Sequence, residues 1–190
     1  PDPARLVTFA ENHDTPRLLA HLDGDLGLWQ VGMAYLATMR GIPQFYYGSE
    51  VLLRGPKQRD DGRLRADMPG GWAGDAANAF SGEGLDATQR AAQDYIRALF
   101  NWRKRTAVLQ TGALMHFVPQ DGVYAYVRHQ PGHAVLVLLN KEGATRTVSL
   151  ERFDAFLQGR RARLALSGKP VTLGRTLDVP AKSATLIELL

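Results

Sequence analysis

The sequence predicts an α/β segment followed by an all-β segment, and two observations carry this prediction. In the first third of the chain, short apolar runs alternate with a helical pattern, which is typical of strand–helix units. Beyond Gln110, apolar residues recur at every second position, which is typical of short antiparallel strands in a sandwich. The change of period predicts a boundary between one domain at residues 1–105 and another at residues 106–190.

The first segment contains two predicted strands and a helix between them. Residues 6–9 form an apolar, β-branched run that predicts a buried strand, and residues 42–47 predict a second strand. Residues 26–40 are apolar on nearly all sides of a helix, which ends at Gly41. Two such units cannot close a sheet, so we expect an upstream barrel segment or self-association to complete it.

A long loop, a helix and a series of short strands follow. Residues 49–86 show no sustained period, and a loop of this length is usually functional or mobile. Residues 88–104 predict an amphipathic helix. Asp-Gly, Pro-Gly and Glu-Gly pairs punctuate the predicted strands, which cover residues 114–118, 123–129, 134–139, 145–150, 163–166 and 183–189.

Composition excludes several classes of function. Among the 190 residues there is no cysteine, which excludes disulfides and thiol nucleophiles. The net charge is only +4 with scattered arginines, so we expect no nucleic-acid partner. No apolar run approaches the roughly 20 residues of a membrane span, so we expect no membrane partner. The histidines are too dispersed to predict a metal site.

The start of the chain leaves its compartment open. The sequence opens on Pro1 without an initiator methionine or a signal peptide, so we expect it to begin partway through a longer protein. Any leader would then lie upstream, and periplasmic, secreted and cytoplasmic locations all stay open.

The polar cluster Asn12-His13-Asp14 directly follows the first predicted strand. Ligands of α/β folds bind beyond the carboxyl ends of strands, which is where this cluster lies. A carboxylate beside an imidazole can bind the hydroxyl groups of a sugar through directed hydrogen bonds. The alternative is a polar loop in which Asp14 or Thr15 caps the next helix.

Two further motifs are candidates for a binding site. Tyr46, Tyr47 and Glu50 could form an aromatic wall with a carboxylate rim, or they could be core residues and a solvated charge. Trp72 follows two glycines in the long loop, where its indole could be a stacking platform or an anchor for the loop.

These motifs resemble a known family. Residues 9–14, Phe-Ala-Glu-Asn-His-Asp, resemble the fourth signature region of the α-amylase family of glycoside hydrolases. Residues 41–50, Gly-Ile-Pro-Gln-Phe-Tyr-Tyr-Gly-Ser-Glu, resemble that family's motif at the eighth barrel strand. Residues 65–72 and 114–124 look most like the cyclomaltodextrinase and neopullulanase branch. The resemblance covers essentially the whole chain.

The resemblance implies a fold and an activity. The fold is the last two β/α units of a (β/α)8 TIM barrel followed by a C-terminal antiparallel β-sandwich. The activity is retaining hydrolysis of α-1,4-glucosidic bonds in maltodextrins, cyclomaltodextrins or pullulan, with the nucleophile and general acid on upstream strands. The full-length protein would then be a glycoside hydrolase, whereas the isolated chain is expected to be inactive.

The resemblance also assigns roles to residues. Asp14 matches the catalytic carboxylate that stabilises the transition state, and His13 matches a residue that binds a sugar hydroxyl. Tyr47 and Glu50 are expected to buttress the barrel end more than to touch the reaction centre. No cofactor is expected; calcium is used by many relatives, but no cluster identifies a site for it. The remaining substrate-binding or supporting candidates are Asn12, Arg17, Tyr47 and Trp72.

Two other functions compete with the hydrolase. The sandwich together with Trp72 fits a non-catalytic module that binds α-glucan. The half-built barrel face fits a scaffold fragment that self-associates, because a large exposed apolar surface is unfavourable in water.

Overall fold

A computed structural model describes residues 2–58 and 60–190. The regular elements of the N-terminal half are mainly helices, and those of the C-terminal half are mainly strands. The helices are α1 (Leu18–His21), α2 (Leu26–Thr38), α3 (Asp61–Leu64), α4 (Ala87–Arg105), α5 (Ala107–Thr111) and α6 (Asp154–Leu157). The strands are β1 (Val7–Thr8), β2 (Ile42–Pro43), β3 (Ala113–Gln120), β4 (Val123–Gln130), β5 (His133–Asn140), β6 (Arg146–Ser149), β7 (Ala162–Leu164), β8 (Pro170–Val171), β9 (Thr176–Val179) and β10 (Ser183–Leu189).

The α/β part of the chain is one parallel strand pair with helices between its strands. β1 and β2 pair in parallel, with Val7 opposite Ile42, and α1 and α2 lie between them in sequence. Gly41 adopts a φ of +123°, and a Cβ there would lie 2.8 Å from the Leu6 carbonyl oxygen. A glycine is therefore needed where β2 approaches β1. Membership of this pair in a (β/α)8 barrel stays a prediction.

Both strands of this pair are shorter and more exposed than predicted. The run at residues 6–9 was expected to be buried, but Leu6, Val7 and Phe9 are about half exposed. This part of the prediction is wrong for the chain as described, because a pair of two-residue strands has no second layer over its outer face. The predicted strand at residues 42–47 ends at Pro43, and residues 44–47 form a loop.

The two long helices form where the sequence predicts them. The Asp25 carboxylate accepts a hydrogen bond from the Leu28 amide and begins α2, whose buried residues include Trp29 and Met33. α4 begins with a capping box between Asp86 and Gln89, and its apolar stripe is buried against α2 and the sheet. In the described part of the chain, no helix combines the length and apolarity that crossing a membrane requires.

The predicted antiparallel sandwich is present, with two layers of unequal size. The larger sheet has the order β3-β4-β5-β10-β7-β8, and β6 pairs with β9 in a second, two-stranded sheet. The central strand β5 is buried on both faces: Val135, Val137 and Leu139 face the core with the helices, and the alternate residues face β6 and β9. The larger sheet therefore lies between a helical layer and a small β-layer.

Several short elements were not predicted. β8 has two residues and begins at Pro170, and β9 alternates Leu177 and Val179 with polar residues over only four positions. The four-residue helices α1, α3 and α6 and the five-residue helix α5 are too short to show a period. The boundary near residue 106 stays a prediction; side chains from both sides of it pack in one hydrophobic cluster.

Candidate active site

The turn after β1 presents two polar side chains to solvent. The Asn12 side-chain oxygen accepts a hydrogen bond from the Asp14 amide at 2.9 Å, and the Thr15 hydroxyl accepts one from the Asn12 amide at 2.9 Å. These bonds fix the backbone of the turn locally. The side chains of His13 and Asp14 are left 59% and 49% exposed. Asn12 thus shapes the turn, whereas its two neighbours are accessible to a ligand.

Asp14 lies between an imidazole and a guanidinium. The His13 Nε2 atom is 3.2 Å from one carboxylate oxygen, and the Arg65 Nη2 atom is 3.1 Å from the other. Arg65 also donates to the His13 carbonyl oxygen at 3.2 Å and to the Asp61 carboxylate at 3.1 Å. The Asp14 carboxylate is therefore oriented from two sides while half of its surface stays open.

The helix that follows the turn is capped by a different carboxylate. The first amide of α1, at Leu18, donates to the Glu11 side chain, so the alternative in which Asp14 or Thr15 caps this helix is wrong. Glu11 is 2% exposed and also accepts a hydrogen bond from the Ser49 hydroxyl. It joins the turn to the segment after β2.

Arg17 is buried directly beneath the turn. Its guanidinium donates to the Tyr47 carbonyl oxygen at 2.6 Å and the Leu64 carbonyl oxygen at 3.2 Å. It lies 3.6 Å from the Glu11 carboxylate and stacks 4.1 Å over the Tyr46 ring. Because Arg17 is only 1% exposed, its contacts hold neighbouring segments together and do not reach the surface.

The second motif lies next to these contacts. The Tyr47 ring is 40% exposed, and its hydroxyl donates to the Ala66 carbonyl oxygen at 3.0 Å. Burial raises the pKa of the neighbouring Tyr46 hydroxyl, with a smaller contribution from its hydrogen bond to Tyr47. Glu50 follows in the 3-10 turn at Ser49–Val51. The two tyrosines therefore pack under and beside the loop that carries Arg65.

Trp72 is held by its backbone while its ring is exposed. The Asp75 carboxylate accepts hydrogen bonds from the Gly70 amide at 2.7 Å and the Trp72 amide at 3.2 Å. The indole N–H donates to the Asp67 carboxylate at 2.9 Å, and 68% of the residue is exposed. This exposure favours a stacking platform over a packed anchor.

Two observations concern metal binding and the shape of the surface around the candidate site. Among residues 2–58 and 60–190, no group of three or more acidic or histidine side chains is placed to hold a metal ion. The turn lies on an open surface, while an apolar cavity of about 460 Å³ lies far from it, in the sandwich between Leu166 and Leu177.

Sequence reasoning singled out the exposed side chains of the candidate site and missed two residues that contact the turn or lie beneath it. It assigned no role to Glu11 or to Arg65. Arg65 is 51 residues from Asp14 in sequence, and Glu11 is 38 residues from Ser49. No local pattern reports contacts over such separations.

Comparison with known proteins shows which enzymes the chain is similar to. Residues 114–188 match the family model of the cyclo-malto-dextrinase C-terminal domain. The chain is 28% identical to neopullulanase 2 of Thermoactinomyces vulgaris over 77% of its own length and 23% of that protein. It is 25% identical to the maltogenic α-amylase of Bacillus acidopullulyticus over 93% of its own length and 28% of that protein. The chain therefore spans about a quarter of these relatives.

Solved structures share the fold. An α-amylase from Anoxybacillus matches with a TM-score of 0.79 and 24% identity, over 98% of this chain and 38% of that one. An α-amylase from Geobacillus thermoleovorans in complex with acarbose has a TM-score of 0.75 and 23% identity, over 99% and 39% of the two chains. Together, the matches confirm the predicted resemblance to the C-terminal portion of α-amylase-family enzymes in the cyclomaltodextrinase and neopullulanase branch.

Proposed function

We propose that this chain is part of a retaining glycoside hydrolase that acts on α-1,4-glucosidic bonds of maltodextrins, cyclomaltodextrins or pullulan. One observation carries the proposal: the side chains of His13 and Asp14 are presented together, half exposed, at the carboxyl end of β1 and beside β2. Similarity to a neopullulanase and a maltogenic amylase supports the class of substrate. The complex of a structural neighbour with acarbose supports an oligosaccharide ligand.

We further propose that β1 and β2 are the seventh and eighth strands of a (β/α)8 barrel in a longer protein. The exposed apolar side chains of Leu6, Val7, Phe9 and Ile42 support this, since the remaining strands or a second copy would cover them. The nucleophile and the general acid would lie on those remaining strands. In a retaining mechanism the first attacks the anomeric carbon, and the second protonates the leaving oxygen.

In this scheme Asp14 acts in the transition state. Its carboxylate accepts hydrogen bonds from hydroxyl groups of the sugar at the cleaved bond, and these bonds strengthen as the ring flattens toward an oxocarbenium ion. The interaction lowers the barrier because it is stronger in the transition state than in the ground state. His13 donates to a hydroxyl of the same sugar.

Three other predicted residues have roles around the contact between Asp14 and the sugar. Asn12 holds the turn, and Arg17 fixes the turn against Tyr47 from below. The exposed Trp72 ring offers a stacking surface for a further sugar of the chain.

The test is Asp14→Asn in the longer protein. The side chain keeps its volume but exchanges a carboxylate oxygen for an amide donor, so turnover should fall by about 10²- to 10³-fold, the usual loss for one transition-state contact. Asp94→Asn is the matched control, since Asp94 is an exposed carboxylate on α4 paired with Arg97. A fall of only a few-fold for Asp14→Asn would remove Asp14 from the catalytic role.

The isolated chain gives a second test. Since it would lack the nucleophile and the acid, a repurified sample should release no glucose from maltooligosaccharides above the buffer blank. Turnover that survives repurification would contradict the proposal.

A non-catalytic α-glucan-binding module is the second candidate, and the exposure of Trp72 favours it. Affinity electrophoresis of the chain in a gel containing soluble starch distinguishes the two functions. Binding that is lost in Trp72→Ala and unaffected by Asp14→Asn, together with an inactive longer protein, would favour the module.

A further inference from the structure

A buried carboxylate beneath the candidate site joins three separate positions of the chain. One oxygen of Glu11 accepts a hydrogen bond from the Ser49 hydroxyl, and the other accepts one from the Leu18 amide. The guanidinium of Arg17 lies 3.6 Å from the first oxygen, and both side chains of this ion pair are almost fully buried. Ser49 lies after β2 and Leu18 begins α1, so Glu11 connects both to the end of β1.

Glu11 is connected to both ends of the turn that carries Asp14. Its backbone leads directly into Asn12, and its carboxylate holds the amide of Leu18, seven residues further on. Between these two ends the turn is braced by its own hydrogen bonds between Asn12, Asp14 and Thr15. A displacement of the Glu11 carboxylate would therefore rotate the turn as a unit.

A second series of contacts connects Glu11 to the opposite side of Asp14. The partner of Glu11, Arg17, donates to the Leu64 carbonyl oxygen at 3.2 Å. The next residue, Arg65, donates to the Asp14 carboxylate and to the His13 carbonyl oxygen. Both the backbone of the turn and a cationic partner of Asp14 are thus connected to the same buried charge.

We infer that Glu11 is a positioning residue, which sets the direction in which Asp14 presents its carboxylate to the sugar. The catalytic consequence rests on the proposed function, whereas the positioning itself concerns contacts within this chain. Glu11 does not touch the substrate in this scheme, because its side chain is buried below the turn.

Glu11→Gln tests the inference. The amide keeps the volume, but its nitrogen cannot accept a hydrogen bond, so either the Leu18 amide or the Ser49 hydroxyl loses its acceptor. Arg17 also loses its buried counter-ion, which costs more than the loss of an exposed partner. We expect the turn at residues 12–15 to move while the rest of the fold is retained.

Glu188→Gln is the matched control. Glu188 is also a buried carboxylate with an arginine partner, Arg163, and it accepts a hydrogen bond from the Trp102 indole at 2.8 Å. It lies on β10 in the sandwich. The same chemical change there reports the effect of losing a buried charge on stability alone.

The first measurement uses the 190-residue chain and needs no activity. In nitrogen-15 NMR spectra, Glu11→Gln should shift the amide resonances of residues 12–15. Glu188→Gln should leave these resonances unchanged. Unchanged resonances at residues 12–15 in Glu11→Gln would overturn the inference.

The second measurement uses the longer protein and separates positioning from loss of folded enzyme. Acarbose has a flattened ring that imitates the transition state, so its inhibition constant should rise at least tenfold in Glu11→Gln while KM changes less than threefold. A purely structural defect would lower the active fraction and leave both constants unchanged, which would contradict a positioning role. If the wild-type longer protein cleaves no α-glucan, the proposed function fails, and the NMR result alone decides whether Glu11 positions the turn.

Discussion

At the scale of single residues, Arg65 is a cation in direct contact with the carboxylate of Asp14. Its Nη2 atom lies 3.1 Å from both Asp14 and Asp61, and its Nε donates to the His13 backbone. The side chain is 42% exposed. An ion pair of this exposure contributes about 0–1 kcal/mol to the free energy of unfolding. Its main effect is therefore on the direction of the Asp14 carboxylate.

Replacing Arg65 should affect turnover more than stability. In the longer protein we expect Arg65→Met to lower kcat by about tenfold, because a misdirected carboxylate loses part of its transition-state contact. The midpoint of urea unfolding should change little. Arg63→Met, in α3 two residues before Arg65, is the control. A kcat within twofold of the wild type for Arg65→Met would show that Asp14 keeps its direction without this partner.

The sequence predicts the site residues that form a local pattern, but it does not predict the contacts between residues that are distant in sequence. Asn12, His13 and Asp14 follow a predicted strand in a recognisable order, so the sequence singles them out. Glu11 and Arg65 lie within the two quoted motifs, but their partners are distant in sequence, so the motifs do not show which atoms these side chains contact. Arg17 was expected to bind substrate or to support the site; it is buried, and its role stays a prediction.

At the scale of elements, α4 links the site loop to the sheet. Its first turn is fixed by Asp86, whose carboxylate accepts a hydrogen bond from the Gln89 amide at 2.8 Å. The Gln89 side chain accepts one from the Asp86 amide at 3.0 Å and donates to the Val51 carbonyl oxygen at 3.1 Å. The helix cap thus also holds the segment that follows Ser49.

Removing this cap should destabilise the chain. Asp86→Ala should lower the free energy of unfolding by about 1 kcal/mol, the typical cost of losing an N-cap side chain. Asp94→Ala, at an exposed position within the same helix, should cost less than about half of this. The measurement is urea unfolding followed by circular dichroism. Equal losses in the two variants would mean that the capping box contributes nothing specific.

Long helices and strands were predicted from the sequence, whereas the shortest ones were not. α4 has 19 residues and a clear apolar stripe, and β3, β4 and β5 each have eight residues, so each gives a pattern long enough to recognise. β8 and α1 contain only about one repeat of the strand or helix period. The run at residues 6–9 has the composition of a buried strand, but burial depends on covering elements that composition does not report.

At the scale of the whole molecule, the end of α2 is tied to the sheet by buried polar groups. Arg128 on β4 donates to the Thr38 carbonyl oxygen at 2.9 Å, and Arg103 on α4 donates to the Gly41 carbonyl oxygen at 3.0 Å. Burial lowers the pKa of Arg128 to about 10. The Thr38 and Tyr126 hydroxyls are 2.5 Å apart at the same junction. The sheet therefore holds the end of α2, and α4 holds the residue before β2, where the second motif of the site begins.

This junction should give the chain a specific response to alkaline pH. Burial raises the pKa of Tyr126 above its usual value of 10.0, with Thr38 partly opposing the shift. Above pH 10 the unfolded chain loses the Tyr126 proton while the folded chain retains it. The stability from this group is therefore complete below pH 10 and falls as pH rises, by up to about 1.4 kcal/mol per pH unit.

Comparing wild type with Tyr126→Phe isolates this contribution from that of Arg128, whose lowered pKa has the opposite effect over the same range. At pH 8 the variant should be less stable by about 1 kcal/mol, because a buried hydrogen bond is lost. By pH 11 this difference should shrink or change sign, since phenylalanine does not titrate. Thr38→Val removes the same hydrogen bond but keeps the tyrosine, so its difference from wild type should stay nearly constant in urea unfolding across this range. A pH-independent difference for Tyr126→Phe would mean that Tyr126 ionises as readily in the folded chain as in the unfolded one.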